Sequence, residues 1–212
     1  IIQPQTAGTT IEIGDDSAGT LKLSDTELGF LSDGFSSITI GRSNAGNVEI
    51  DTASFNDSVT ILTAGNIADA TGTDLTLNAA ADTATLNGTV TPGLSAPGIL
   101  NVATGNAAFA NNTEFQVQIG GTTAGEGNGN HDQINATGSV NIGTGVTLTT
   151  SVFLVSGGGS NFAPMQNDSF TIIDRTGGTG MFDGLGEGTL VSSDFLGSGE
   201  RAGITYKGGD GD

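Results

Sequence analysis

The chain has 212 residues, of which 36 are glycine and 5% are aromatic, and it contains neither tryptophan nor cysteine. A chain of this length can bury a sizeable core, but it can build neither a disulfide framework nor a thiolate metal site. Its 5 basic residues stand against 23 acidic ones, a formal net charge of -18. That charge excludes attraction to nucleic acid or to an anionic membrane surface, and no apolar run approaches the ~20 residues of a membrane span.

Hydrophobic residues make up 35% of the chain and come in short runs that alternate with polar residues. An alternation of period two, closed by Gly, Asn or Asp, is typical of β-strands. The pattern therefore predicts strands along the whole chain. They are TIEIG, GTLKLS, SITIG, NVEID, SVTILTAGNI, DLTLN, ATLNGTV, GILNVA, EFQVQIGG, DQINATGSVNIG, GVTLTTSVFLV, DSFTIID and GITYKGG.

One strand-turn-strand unit occurs twice near the start of the chain. TIEIGDDSAGTLKLS and SITIGRSNAGNVEID share Ile-Gly, a polar triplet, Ala-Gly and a second strand. Repetition of this kind is typical of stacked-coil folds. We therefore predict an all-β fold, a right-handed parallel β-solenoid, with a β-sandwich as the alternative. The residues predicted to form its interior rows are Ile11, Ile13, Ile38, Ile40, Val48, Ile50, Val59 and Ile61.

The segment LSDTELGFL interrupts the β pattern. Ser24 and Glu27 have the spacing of a capping box, and Leu23 and Leu28 occupy the flanking apolar positions. We predict one short helical turn near Asp25 to Leu31. The alternative is a polar loop.

The densest cluster of chain breakers, VTPGLSAPGILN, divides the sequence. Short repeated strands precede it, and longer strands with glycine-rich loops follow it. We predict a first region of short β-solenoid coils, residues 1–94, and a second β region with longer strands, residues 95–212. One continuous stack is the alternative.

Two parts of the sequence resemble repeat regions of very large bacterial surface adhesins. TIEIGDDSAGTLKLSDTELGFL with SSITIGRSNAGNVEI resembles filamentous-haemagglutinin-like coils. The segment from LSAPGILNV to GVTLTTSV resembles the passenger-associated repeat of autotransporter adhesins, with its Ser-Pro-Gly turn, Gly-Gly-Thr and Asp-Gln-Ile strand. The matching residues are Ser95, Pro97, Gly98, Gly120, Gly121, Thr122, Asp132, Gln133 and Ile134, although Ala96 interrupts the first turn.

This resemblance implies a secreted, surface-displayed β-solenoid that acts in adhesion or in an extracellular fibre. The partners to expect are further copies in a homo-oligomer or filament, adjacent repeats of the same polypeptide, and host or matrix glycans. The motifs are structural, so the resemblance implies no catalytic residue.

The ending ITYKGGDGD raises the question of a calcium site. Calcium-binding nonapeptide arrays need successive Gly-Gly-x-Gly-x-Asp turns, because oxygen atoms from adjacent coils surround each ion. This chain holds one incomplete copy, so Asp210 and Asp212 are either calcium ligands or simple turn residues. No other cofactor is predicted.

The sequence offers few residues for catalysis. His131 is the single histidine, and we expect it in a surface loop. We expect its neighbour Asp132 to be a solvated turn residue. The alternative function is a carbohydrate-active β-helix enzyme, with Glu12, Glu49 and Asp51 as candidate carboxylates. Another alternative is a carbohydrate- or ice-binding face of threonines, such as GVTLTTSV.

We therefore predict a non-enzymatic extracellular structural or adhesive module, a subunit or segment of a bacterial surface filament or large adhesin. Terminal coils expose backbone groups that must be capped or paired, and neither end of the sequence shows an obvious cap. The apolar opening IIQPQ predicts strand addition to another subunit, with Ile1 and Ile2 as intermolecular anchors. Head-to-tail contacts of this kind generate filaments.

Overall fold

The computed structural model of the protein describes residues 1–14, 19–69, 74–77, 81–93, 95–154 and 162–207. Strands account for 45% of the structure and helices for 4%. The prediction of an all-β fold is therefore confirmed. Within the described ranges, no helix is long and apolar enough to cross a membrane.

The strands are short, as the sequence pattern predicts. The first ten are β1 (Ile11–Ile13), β2 (Leu21–Leu23), β3 (Ile38–Gly41), β4 (Val48–Ile50), β5 (Ala53–Phe55), β6 (Val59–Asp69), β7 (Asp74–Leu77), β8 (Thr83–Gly93), β9 (Ile99–Thr104) and β10 (Asn106–Phe109). The others are β11 (Glu114–Ile119), β12 (Thr123–Ala124), β13 (Asn130–His131), β14 (Gln133–Ala136), β15 (Val140–Ile142), β16 (Thr147–Val152), β17 (Ile173–Asp174), β18 (Leu190–Ser192) and β19 (Ala202–Gly203). One α-helix, α1, spans Asp25–Leu28, and one 3-10 helix spans Phe195–Gly197.

Two mostly parallel sheets contain nearly all of these strands. The larger has twelve strands, with β2 and β3 at its first edge and β15 and β16 at its last edge. The smaller has five strands in the order β5, β7, β9, β14 and β17. The chain passes back and forth between the two sheets as it advances, as in β6, β7, β8 and β9. Antiparallel pairing is confined to β11 with β13 and to β18 with β19 among the described strands.

Buried apolar side chains form rows that run across the parallel strands in register. One row is Ile40, Ile61, Leu86, Phe109 and Ile142. Another is Leu21, Ile11, Val48, Ile67, Val90, Phe115 and Leu148. Adjacent members lie one strand spacing apart, ~4.8 Å, so aliphatic side chains fill the interior without many aromatic rings. All eight residues predicted for the interior are buried in parallel pairs, which confirms that prediction.

The repeated unit at the start of the chain is not itself the stacking unit. β1 of the first copy pairs with β4 of the second copy, with Ile13 opposite Ile50. What the copies share is a turn: Gly14 directly follows β1 and Gly41 ends β3, at φ values of 113° and 95°. Glycine adopts such values without strain, and a Cβ atom at Gly41 would collide with the backbone carbonyl oxygen of Leu62.

The predicted helical turn is confirmed, although α1 already ends at Leu28. The Glu27 N–H donates to Ser24 Oγ at 3.3 Å, and the Ser24 N–H donates to the Glu27 carboxylate at 3.0 Å, so the capping box is complete. Leu28 is buried, and α1 packs against β5, the first strand of the smaller sheet. The helix therefore lies beside the edge strand of the smaller sheet.

Strand pairing continues across the predicted division at residue 94. β8, which ends at Gly93, pairs with β10 and β11, and β7 pairs with β9. Each of the two large sheets therefore contains strands from both 1–94 and 95–212.

The buried rows predict a large stability loss when one member is shortened. Replacing Ile61, which is fully buried between Ile40 and Leu86, by alanine should reduce the free energy of unfolding by about 2–5 kcal/mol. Thr60→Ala on the same strand faces outward and should cost far less. Urea denaturation of both variants measures the difference, and equal losses would contradict the row arrangement.

Candidate functional site

Asp132 is completely buried where three segments of the chain meet. Its Oδ1 accepts hydrogen bonds from the N–H groups of Gly98 at 2.7 Å and Gly93 at 3.3 Å. Its Oδ2 accepts one from the Gln118 N–H at 2.7 Å. Gly93 ends β8, Gly98 precedes β9, and Gln118 belongs to β11. A single carboxylate therefore fastens the turn between β8 and β9 to a neighbouring strand.

A second carboxylate holds the other side of the same turn. Glu126 Oε1 accepts a hydrogen bond from the Ile99 N–H at 3.0 Å. Next to it, the Gly127 N–H donates to the Pro97 carbonyl oxygen at 2.7 Å. The loop between β12 and β13 is thereby tied to the turn, and we call this arrangement around Asp132 and Glu126 the turn junction.

The surroundings of Asp132 act on its acidity in opposite directions. Burial raises the pKa of Asp132 to about 7, and the nearby Glu126 carboxylate raises it as well. The N–H groups of Gln118, Gly98 and Gly93 oppose this by stabilising the charged form. The net result is a carboxyl group that titrates near neutral pH in the folded protein.

His131 is buried beside Asp132. Its Nδ1 lies 3.1 Å from the Gly121 carbonyl oxygen, and its Nε2 lies 3.2 Å from the Thr171 carbonyl oxygen. The side-chain amide of Gln133 donates to the same Thr171 oxygen at 2.7 Å. The expectation of a surface histidine and a solvated aspartate is therefore wrong. The Gly/Asn-rich composition of the segment GEGNGNHD suggested a solvated loop. In the structure, His131 at the end of β13, Asp132 and the start of β14 are buried.

Residues of the adhesin-like motif come together at the turn junction. Gly98 and Asp132 bond directly, Gly121 contacts the His131 ring, and Ile134 pairs with Leu100 and with a residue of β17. Ser95 and Thr122 of the motif are exposed instead. The polar side chains of the turn junction are hydrogen-bonded to backbone groups, so the junction holds distant segments of the chain together. The matched glycines and the Asp-Gln-Ile triplet were the signal in the sequence that could have located it.

The candidate catalytic carboxylates do not form an open pair. Glu12 and Glu49 lie opposite each other on β1 and β4, but the Glu12 side chain is only 1% exposed. Its carboxylate forms an ion pair with Lys22 Nζ at 3.2 Å. Asp51 is buried and accepts a hydrogen bond from the Thr52 N–H at 2.6 Å. Across the part of the chain that the structure describes, no three or more His, Cys, Asp or Glu side chains are grouped to hold a metal ion.

The remaining predicted site residues lie at the two ends of the chain. Asp210 and Asp212 fall outside the described residues, so their role in calcium binding stays a prediction. Ile1 is 89% exposed. Ile2 forms a parallel bridge with Ile40 of its own chain: its N–H donates to Thr39 and its carbonyl oxygen accepts from Gly41, both at 2.8 Å. Their role as intermolecular anchors also stays a prediction.

The threonines of β16 do not form an extended flat face. Thr147 and Thr149 are exposed, but Glu114 and Gln116 of β11 lie opposite them. A short outward row of matched threonines does occur elsewhere, and alanine follows it on the next strand. The row is Thr39, Thr60 and Thr85, followed by Ala108.

A groove of about 1280 Å³ lies beside the last edge of the larger sheet, and we call it the last-edge groove. Leu148 and Thr150 of β16 contribute to one wall, and Phe170, Phe195 and Tyr206 contribute to the opposite side. The sequence did not reveal this groove. Its second wall comes from residues 164–206, which form little regular secondary structure and whose packing no local pattern predicts.

Comparisons with known proteins add no function. No protein-family model matches the chain, and neither a curated protein nor a solved structure matches it.

The buried Asp132 predicts a specific pH dependence of stability. Its pKa is about 7 in the folded protein and, as for a free aspartate, about 4 in the unfolded chain. Between pH 4 and pH 7 the folded state therefore binds more protons than the unfolded state. The stabilisation that this proton binding gives is fully present below pH 4 and is lost as the pH rises through 7. The wild-type protein should lose up to about 4 kcal/mol from this group between pH 4 and pH 8.

Urea denaturation at pH 5 and pH 8 tests this dependence. Asp132→Asn should be less stable at low pH, because its amide cannot accept all the backbone hydrogen bonds, and should show a flatter pH profile. Asp183→Asn removes an exposed charge and serves as the control, with a wild-type profile. An unchanged pH slope in Asp132→Asn would contradict the prediction.

Proposed function

We propose that this chain is a non-enzymatic structural module, built as a right-handed parallel β-solenoid, of an extracellular filament or large surface adhesin. The observation that carries the proposal is the set of buried rows that run in parallel register through both sheets. Such rows are what stacked coils require, because each coil buries its apolar face only against its neighbours.

The path of the chain supports the solenoid over the sandwich. A sandwich is assembled mainly from antiparallel strands. Here the chain alternates between the two sheets from β6 to β9, and each strand pairs in parallel with the next strand but one: β6 with β8, and β7 with β9. Parallel strands linked through a crossover are almost always connected with a right hand. A right-handed coil is therefore the arrangement that we propose.

The polar interior supports a structural role over catalysis. The buried Asp132 and His131 bond to backbone groups, and the buried Glu12 is neutralised by Lys22. A general acid or base must instead reach a substrate proton within hydrogen-bonding distance. These side chains are used to hold the chain together.

The family resemblance supports the proposed extracellular location and adhesion, and the composition is consistent with them. A net charge of -18 repels other acidic polymers and limits lateral clumping of a fibre. Gly98 and Asp132, two residues that carry the resemblance to the passenger-associated repeat, have a structural role in the turn junction. The proposed partners are further copies of the chain, adjacent repeats and host or matrix glycans. Calcium at Asp210 and Asp212 belongs to the same proposal.

Two measurements on the purified protein test the proposed function. Methyl NOE spectra should connect Ile40 with Ile61 and Ile61 with Leu86, because these residues are neighbours only in the parallel register. Incubation with neutral and acidic polysaccharides should release neither reducing ends nor unsaturated uronic acids. Cleavage that disappears in Glu49→Gln would overturn the non-enzymatic proposal in favour of the carbohydrate-active alternative, and missing NOE connections would overturn the solenoid.

A further inference from the structure

The chain contains two Asn-Gly steps, Asn87-Gly88 and Asn128-Gly129. At such a step the backbone nitrogen of the glycine can attack the side-chain amide carbon of the asparagine, because glycine has no Cβ atom to obstruct the approach. The new N–C bond closes a five-membered succinimide ring, and the amide group leaves as ammonia with the proton of the glycine nitrogen. One water molecule then opens the ring at either carbonyl carbon. The product is aspartate or isoaspartate, so a neutral amide becomes a carboxylate.

The first Asn-Gly step lies inside a paired strand. Asn87 and Gly88 belong to the middle of β8, and Asn87 pairs with Leu62 of β6. Both residues are half-buried, and a Cβ atom on Gly88 would lie 2.8 Å from Thr63 Cγ2. An extended backbone directs the glycine nitrogen away from the preceding side chain, so ring closure requires rotation about the Asn87 Cα–C bond. In β8 that rotation would break the parallel pairing with β6.

The second Asn-Gly step lies in the loop between β12 and β13. Asn128 and Gly129 are both exposed. A Cβ atom on Gly129 would meet no other atom within 4 Å. Among the residues that the structure describes, no backbone carbonyl oxygen accepts a hydrogen bond from the Gly129 N–H. The attacking nitrogen is therefore not held by strand pairing, and the ring can close without opening a sheet.

The same loop is fastened on both sides of this step. The Asn130 side-chain amide donates to the Glu126 carbonyl oxygen at 2.7 Å, which closes the loop around residues 127–129. The Gly127 N–H donates to the Pro97 carbonyl oxygen at 2.7 Å. A chemical change at residue 128 therefore occurs inside a loop that belongs to the turn junction.

We propose that Asn128 is a modification site, at which the folded chain deamidates spontaneously to aspartate and isoaspartate, and that pairing in β8 protects Asn87 from the same reaction. This inference goes beyond the proposed function and does not depend on it. Opening a core strand costs much more free energy than moving an exposed loop. The two steps therefore differ in rate although their chemistry is the same.

Both products weaken the turn junction. The new carboxylate lies two residues from Glu126, whose charge already raises the pKa of Asp132, so a third acidic group adds repulsion. Isoaspartate also adds one methylene group to the backbone, inside the loop that the bond from Asn130 to Glu126 closes. Added charge and a longer backbone both disfavour the observed arrangement of this loop.

Incubation in water enriched in the heavy stable isotope of oxygen locates the reaction. The water that opens the ring leaves its oxygen in the new carboxylate, so the label marks only deamidation during the incubation. The folded protein is kept in mildly alkaline buffer and then cleaved after glutamate, which places Asn87 in peptide 50–114 and Asn128 in peptide 127–187. Mass spectrometry should show labelling at Asn128 at least about tenfold faster than at Asn87, because reaction at Asn87 requires local unfolding of β8.

Two controls separate the effect of the fold from that of the local sequence. In urea, where the fold holds neither step, the two rates should become comparable. Asn128→Gln lengthens the side chain, so that the ring would need six members, and should abolish labelling at residue 128 while leaving the rate at Asn87 unchanged. A folded chain without label at residue 128, or with equal rates at the two steps, overturns the proposed site.

Urea denaturation before and after incubation tests the effect on the turn junction. The deamidated wild-type protein should unfold at a lower urea concentration than the fresh protein, whereas incubated Asn128→Gln should keep its midpoint. An unchanged midpoint of the deamidated protein would contradict the weakening of the turn junction. None of these measurements depends on the NOE and polysaccharide tests, so this inference and the proposed function fail separately.

Discussion

The parallel register between neighbouring strands is the constraint on which the rest of the structure depends. Because β3, the first half of β6 and the first half of β8 pair in the same register, Ile40, Ile61 and Leu86 lie directly above one another. A slip of one residue would turn these side chains outward and bring threonines into the interior. Small aliphatic residues are sufficient for such a narrow core, which explains how a chain with 5% aromatic residues folds.

The turn junction binds backbone groups that lie near the interior and that would otherwise need another hydrogen-bond partner. Asp132 and Glu126 accept hydrogen bonds from N–H groups of the turn between β8 and β9 and of β11, and the His131 ring lies within hydrogen-bonding distance of the Gly121 and Thr171 carbonyl oxygens. The arrangement buries a carboxylate whose pKa rises to about 7. Buried polar groups that are fully bonded specify one arrangement of the chain. Here they join the turn after β8 to strands of both sheets.

The edge strands of the sheets lack the two-sided pairing that stabilises every inner strand. At the first edge of the larger sheet, Ile2 pairs with β3, and α1 packs against β5 at the edge of the smaller sheet. At the last edge, β11 is the one described strand that pairs with β16, and the last-edge groove lies beside it. Edge strands of this kind are normally protected by charge, proline or a covering element.

The sequence by itself determined the local features: short alternating strands, the capping box of Ser24 and Glu27, glycines at the turns, and the side of each strand that is buried. These depend on period, propensity and capping, which act between near neighbours in the chain. The tertiary structure alone decided which strands pair, so that β1 meets β4 rather than its repeated counterpart β3. It also decided that Asp132 and His131 are buried and that residues 164–206 form a groove wall, because hydrogen bonds to Gly98 and Thr171 connect residues more than thirty positions apart in sequence.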